Sequence, residues 1–358
     1  MKTLPPLGLS LLALALAGCA GSGAAPEAPR YNRSAGTAAQ ASQFVTAQHL
    51  AGAAPQKVGI TACNVLFATR TGASAATSAG LFNTSSNRVE AKVSSWYYLQ
   101  NLDDAAMQAL TERICDGAEQ RLSAQGLSVV PRAQLAASAE LAPLLAKGEA
   151  APYEWKDPAS KTEYRIFAPG GLTVQGFGNA LGNAFAIAGG DSPAQLEFLA
   201  GRAGGYTPVQ LSVVVDFASV SGDGQRALGG LADKNSAEVQ ASVALSVSGS
   251  LKLMSPGLFE CMPRLGKEYC YQKSQQIPQV VSQRPLVAEE TFYSEIADIQ
   301  STAEKVGEGV ANVIGLLGGG LSFSQSKNGV KVIPEVYTGT AERYALDFVE
   351  MAALQLPR

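Results

Sequence analysis

The chain has 358 residues, of which 46% are hydrophobic and only 16% charged, with a formal net charge of −3. That length allows one large domain or two modest ones. The near-neutral balance, with no Lys/Arg cluster along the chain, lacks the basic footprint of a nucleic-acid binder. No apolar stretch reaches the 18 or more residues of a membrane-spanning helix.

The chain begins with Lys2 and an apolar run from Leu7 to Leu16, which ends at Leu16-Ala17-Gly18-Cys19. The run is too short to cross a roughly 30 Å hydrocarbon core, but it suits the apolar segment of an export signal. The four residues that close it resemble the lipobox of bacterial lipoproteins. The resemblance implies a signal peptide over 1–18 that is cut before Cys19. It also implies that the Cys19 thiol carries a diacylglyceryl group and its new amino group an acyl chain. Two or three chains, at about 0.8 kcal/mol per buried CH₂, hold a protein at a membrane where one would not. Ala20, where an Asp would mark retention at the inner membrane, implies an outer-membrane anchor with the folded part facing the periplasm.

From residue 19 to 56 the composition is Ala, Gly, Pro, Ser and Gln, which reads as a lipidated flexible tether with a reach of about 30–35 Å. A short helix is expected within it over Gln40–Leu50. The remainder, 57–358, reads as an α/β domain, with sub-lobes at 57–170 and 205–358. Lys57–Phe67 has the β-branched content of a first strand. Residues 69–87, rich in Thr, Ser, Gly, Ala and Asn, read as a long loop, and Arg88–Gln100 as a second strand. Asp103 is placed to cap a helix that runs to Ala124 and stops at Gly126. Met107, Leu110, Ile114, Ala118 and Leu122 give that helix one apolar face. A strand at Leu127–Arg132 and a second helix over Ala133–Ala146 follow.

Two glycine-rich segments, Val174–Gly190 and Gly309–Ser324, read either as weakly helical packing elements or as loops over a partner. Between them, Val209–Ser221 and Val239–Leu253 alternate apolar and polar residues. They are expected to pair as a long antiparallel hairpin through a polar 222–238 connection. A strand at Val330–Val336 and a helix from Thr340 to Gln355 close the chain. The expected architecture is a mixed sheet backed by helices.

Four cysteines remain once Cys19 is committed to lipid, and an even number in an exported protein suggests disulfides. Cys261 and Cys270 flank a Pro/Gly turn that a bridge would close. Cys63, on a strand, and Cys115, on a helix, would form either a staple or a pair of buried free thiols. No cysteine pair has zinc spacing, and the single histidine, His49, lies in the tether, so no metal or cofactor is expected. Neither a Ser-His-Asp nor a Cys-His site can be assembled, and no catalytic residue is assigned. "GDSP" (Gly190–Pro193) and "SQSK" (Ser324–Lys327) lack the partner motifs of the hydrolases that carry similar blocks. "GFGNALG" (Gly176–Gly182) is a packing loop, not a dinucleotide fingerprint. The acidic run Glu289, Glu290, Glu295, Asp298 and Glu304 reads as a solvated helix face, with paired glycosidase carboxylates as the alternative.

The block "AMQALTERICDGAEQRLSAQGLSVVPRAQL" (Ala106–Leu135) runs from a helix through a glycine stop and a Val-Val strand to an Arg and a Gln-Leu that open the next helix. It resembles the core of the curli-secretion lipoprotein (CsgG) family and its envelope relatives, the peptidoglycan-synthase activators and the N-terminal domain of TolB. The resemblance implies an α/β sheet backed by helices on a lipid-tethered periplasmic protein that works through its surfaces, so no site residue carries over. The first expectation is a non-enzymatic accessory or scaffold lipoprotein of an envelope assembly or secretion machinery, with a protein partner. The alternatives are a homo-oligomeric pore that takes the 209–254 hairpin into a barrel, and a carboxylate-based periplasmic hydrolase.

Overall fold

The computed structural model describes residues 29–51, 54–76, 90–177, 192–225, 236–264, 267–301, 304–305 and 321–357. Its elements all lie within the unit formed by 31–358. In chain order they open with helix α1 (Thr37–Phe44), strands β1 (Val45–Gln48), β2 (Lys57–Ala76) and β3 (Glu90–Gln100), helix α2 (Asp104–Ala124) and strand β4 (Ser128–Val130). Two short helices, α3 (Arg132–Ala136) and α4 (Ala142–Leu145), precede β5 (Tyr153–Lys156), β6 (Glu163–Phe167) and α5 (Pro193–Gly204). Then come β7 (Thr207–Asp216), β8 (Ser219–Gln225), β9 (Ser236–Ser242), β10 (Ser246–Leu253), β11 (Phe259–Arg264), β12 (Lys267–Gln272) and β13 (Gln279–Ser282). The chain finishes with β14 (Leu286–Val287), β15 (Tyr293–Asp298), β16 (Leu321–Val332) and α6 (Pro334–Leu354).

Twelve of these strands form one mixed sheet, whose main path runs β1-β13-β10-β7-β2-β3-β16-β15. It is open, with β1 and β15 at its two edges, and the α/β class expected from the sequence is the one observed. The central strand is β2. Its first half pairs parallel with β7, Val58 opposite Thr207 through Phe67 opposite Val215. Its second half pairs antiparallel with β3, Arg70 opposite Tyr98 through Ala76 opposite Lys92.

Helices α1, α2 and α6 cover one face of the sheet. The Asp103 side chain accepts from the Ala106 N–H at 2.8 Å and so supplies the α2 cap. Met107, Leu110, Ile114, Ala118 and Leu122 are buried together with Val58, Ile60, Val65 and Phe67 of β2 and with Tyr337, Phe348 and Val349 of α6. The close fit of α6 rests on Gly249 of β10. A Cβ there would sit 2.6 Å from the Phe348 ring and 2.5 Å from the Ser212 carbonyl oxygen, so a larger residue would push helix and sheet apart. On the other face lies α5, where Ser192 caps the first turn and Gly205, at φ 65°, ends the helix in the left-handed region.

The expected long hairpin is present in two pieces, β7–β10 in the main sheet and β8–β9 as a separate two-stranded sheet. Its strands run into the expected 222–238 connection as far as Gln225 and from Ser236. Val209 pairs with Leu253 and Asp216 with Ser246 across β7 and β10, and Ser219 pairs with Ser242 and Gln225 with Ser236 across β8 and β9. Val209, Leu211, Val213, Val215, Leu245, Val247, Leu251 and Leu253 are buried in the helix-side core. The apolar stripe is therefore consumed inside the molecule over 209–215 and 245–253, whereas Ala241 is exposed and Val239 and Val243 are half-buried.

Several boundaries differ from expectation. The flexible tether was drawn to Gln56, but residues 31–48 belong to the folded unit. Tyr31, Phe44 and Val45 are buried, the Tyr31 hydroxyl donates to Asp347 of α6 at 2.9 Å, and β1 pairs with β13. Three large side chains anchor a tract whose average composition looks unfoldable. Residues 69–76 of the expected 69–87 loop are strand, because small residues extend β2 when β3 supplies the ladder, and 77–87 lie outside the described residues. The second helix is two short pieces separated at 137–141. The acidic run is no helix face: Glu295 and Asp298 lie on the edge strand β15. The last helix starts at Pro334, with proline in its first turn, and the strand before it is Leu321–Val332. Residues 178–190 and 309–320, most of the two glycine-rich segments, lie outside the described residues.

Candidate functional site

Cys19 lies outside the described residues. The other four cysteines are paired in two disulfides. Cys63 of β2 joins Cys115 of α2, with Cα atoms 6.2 Å apart and a sequence separation of 52. A loop of that length corresponds to about 4 kcal/mol in the chain-entropy picture. Cys261 joins Cys270 directly across the β11–β12 hairpin. The Arg202 guanidinium lies 3.3 Å from the Cys261 sulfur.

The registers bring several strand ends to one pole of the sheet. Ala76 ends β2, Glu90 starts β3 opposite Leu321 of β16, and Gln225 and Ser236 end and start β8 and β9. Because β7 runs parallel to β2 and feeds β8, all of these ends point the same way. None of the hydrophobic clusters among the described side chains takes a residue from 69–76, 92–96, 219–220, 239–242 or 324–328. What is buried there is small or polar: Thr71, Ala75, Ser94 and Ser95. The Ser326 hydroxyl donates to Ser95 at 2.8 Å, and the Arg70 guanidinium lies 4.1 Å over the Trp96 ring. That ring lies against Gly72, where a Cβ would be 2.3 Å from it.

At the foot of the pole, on the sheet, is a cavity of about 690 Å³. Ser160, Thr162, Ser219, Ser246, Ser248 and Ser282 bring hydroxyls to it, and Lys161 and Arg284 bring cations. Asp216 and Tyr164 also line it, and the Tyr164 hydroxyl donates to the Asp216 carboxylate. Burial pushes the Asp216 carboxyl up to about 6, against the lowering effect of that hydrogen bond. Burial, then the Asp216 charge and the hydrogen bond to it, push the Tyr164 hydroxyl well above its ordinary range.

A second raised carboxyl, Glu197 of α5, is fully buried against the sheet. Thr61 and Gln210 donate to its two oxygens, and burial pushes it up to about 7 despite both bonds. Glu197 does not line the cavity over Asp216. The acidic residues considered for hydrolysis do not converge. Glu290 accepts from Arg343 and Tyr344, Asp298 pairs with Lys305 at 2.9 Å, and Glu304 pairs with Lys327. No group of three metal-ligating side chains is found among the described residues.

Neither Asp216 nor Glu197 was singled out from the sequence. The available signal was parity: in "VQLSVVVDF" Asp216 falls in phase with Gln210 and Ser212, opposite the apolar stripe. No protein-family model matches the chain, and no curated protein or solved structure matches it.

Proposed function

We propose that this chain is a lipid-anchored protein of the outer membrane that faces the periplasm and serves, without catalysing a reaction, as an accessory or scaffold in an envelope assembly or secretion machinery. The observation that carries the reading is the pole. Beyond the start of the β2–β3 pairing, β2 continues for about 20 Å at about 3.3 Å per residue, yet no hydrophobic cluster among the described side chains takes a residue from it there. Short strand pairs without a core are marginal in water by themselves. A partner laid over the pole would supply the missing packing. The signal-like start with Cys19 and the resemblance of 106–135 to curli-type envelope lipoproteins support the location.

A photoreactive residue placed at Ser74 or Ser219, in cells, tests this against one at Glu342 on the outer side of α6. The reading expects crosslinks to one protein from the two pole positions and none from 342. Crosslinks only from 342 would contradict it. Replacing Cys19 with Ser is expected to release the protein from the membrane fraction.

A pore subunit is the second reading, and the β8–β9 register favours it. Val220 pairs with Ala241, Gly222 with Val239 and Gly224 with Ala237, alternating with the polar pairs Ser221–Gln240 and Asp223–Glu238. Such alternation suits a barrel wall, but each strand has seven residues where a transmembrane strand needs about 9–11. Burial of the 209–217 and 245–253 stripe also removes the longer hairpin from that role. A ring in detergent, seen by light scattering and negative-stain images, would replace the scaffold reading with this one.

A further inference from the structure

We propose that the cavity over the Asp216–Tyr164 pair, which shares Thr71, Ser74, Trp96 and Ser219 with the pole, is a saccharide-binding site. Its volume of about 690 Å³ falls within the usual range for small-molecule sites. Its chemistry departs from the usual one, because hydroxyl side chains share the wall with small apolar residues, Ala73, Ala159, Ala218, Val220 and Pro285. An acyl chain or other apolar ligand would strip water from those hydroxyls and return no hydrogen bonds. A sugar ring returns them. A serine or threonine hydroxyl both donates and accepts, so apart from Ser160, whose proton goes to Asp157, these groups can meet a ligand hydroxyl in either sense.

Asp216 gives the site direction. As a carboxylate it only accepts; Tyr164 takes part of that capacity and the rest faces the cavity. Hydrogen bonds from a ligand hydroxyl to an ionised carboxylate are about twice as strong as those between neutral groups. Lys161 and Arg284 add donors without acceptors, which admit an acidic substituent on the sugar.

The framework is set before the ligand arrives. Ser246 and Ser248 stand on β10, which is paired with β7, β13 and β14, and Asp216 ends β7, which is paired with β2 and β10. Asp157 accepts from the Ser160 hydroxyl at 2.5 Å and from the Ser160 N–H at 3.0 Å, which holds the turn at the rim. The same pairing argues against a peptide. An added strand needs a free backbone edge, and β2, β7, β10 and β13 under the cavity each have neighbours on both sides, which leaves only β8 of the lining strands with a single partner. Trp96 is covered by Arg70 and Gly72, and Tyr164 stacks on Trp155. Binding therefore rests on hydrogen bonds.

Saturation-transfer NMR on the purified protein tests the proposal at pH 7.5 and millimolar probe. The probes are maltotriose, triacetylchitotriose, trigalacturonate and a Gly-Ser-Gly-Ser peptide. The expected result is transfer to at least one saccharide and none to the peptide. Ser248→Leu should abolish that transfer by filling the cavity. Asp216→Asn should weaken binding by about tenfold, as expected for loss of a charge-assisted hydrogen bond, with the thermal melt showing both variants folded. Should Ser248→Leu fail to fold, the isosteric Asp216→Asn decides. Silence from all three saccharides, equal transfer in a folded Ser248→Leu or an Asp216→Asn protein, or transfer to the peptide alone would overturn the assignment.

Discussion

The two halves of β2 are one continuous strand in two different environments. From Val58 to Ala68 every residue is buried, with Val58, Cys63, Val65 and Phe67 inaccessible to solvent and Cys63 bonded to α2. From Arg70 to Ala75 only Thr71, Gly72 and Ala75 are buried, and no hydrophobic cluster includes any of them. Backbone pairing runs through both halves, so hydrogen bonding does not separate them. The difference lies in apolar area removed from water, the dominant favourable term in folding. The first half holds the fold together, whereas the second is held out from it, as a surface meant to be completed by something else would be.

That contrast can be broken most severely from the core side. Phe348→Ala should destabilise the protein by about 3–5 kcal/mol, seen as a lower denaturant midpoint, since the ring is fully buried against Gly249 and β10. Replacing both Cys63 and Cys115 with Ala should lower stability by about 2–4 kcal/mol in oxidising buffer. If neither change matters, the helix-side core is not what holds β2.

The buried acids sharpen the comparison through pH. The folded-state value of Glu197, about 7, lies above its ordinary 4.5, so the folded state binds the proton more tightly than the unfolded chain does. The resulting stability is complete below pH 4.5 and is lost as pH rises through about 7. At about 1.4 kcal/mol per unit, roughly 3–4 kcal/mol of stability should disappear between pH 4.5 and 8. Asp216 acts in the same direction, from its ordinary 3.8 up to about 6. Glu197→Gln should flatten this part of the stability–pH curve, and an unchanged slope would assign it to other groups. The smallest effect is expected at the pole, where Val220→Ala should change stability by less than about 1 kcal/mol.

Where the pattern is strongly periodic, the fold was legible in the sequence. The α2 face, the Asp103 cap and the Val209–Leu253 hairpin could all be read from spacing alone. Residues 31–48 could not. Tyr31 and Phe44 are separated by small polar residues, and their anchoring depends on Asp347 and Tyr344, more than 300 positions away. The β2 extension was missed for the opposite reason. Thr, Gly, Ser and Ala form a strand here because β3 lies beside them, which local propensity does not report. The cavity is assembled from β2, β7, β10, the 157–162 turn and the residues after β13, so no single stretch of sequence announces it.

Native-state hydrogen exchange along β2, measured on the purified protein and again in its native membranes, tests the central claim most directly. Slow exchange at Val58–Phe67, with fast exchange at Arg70–Ala75 that becomes slow only in the membrane sample, is the predicted result. Equal protection of both halves in the isolated protein would show that the pole is stable without a partner and would contradict the account.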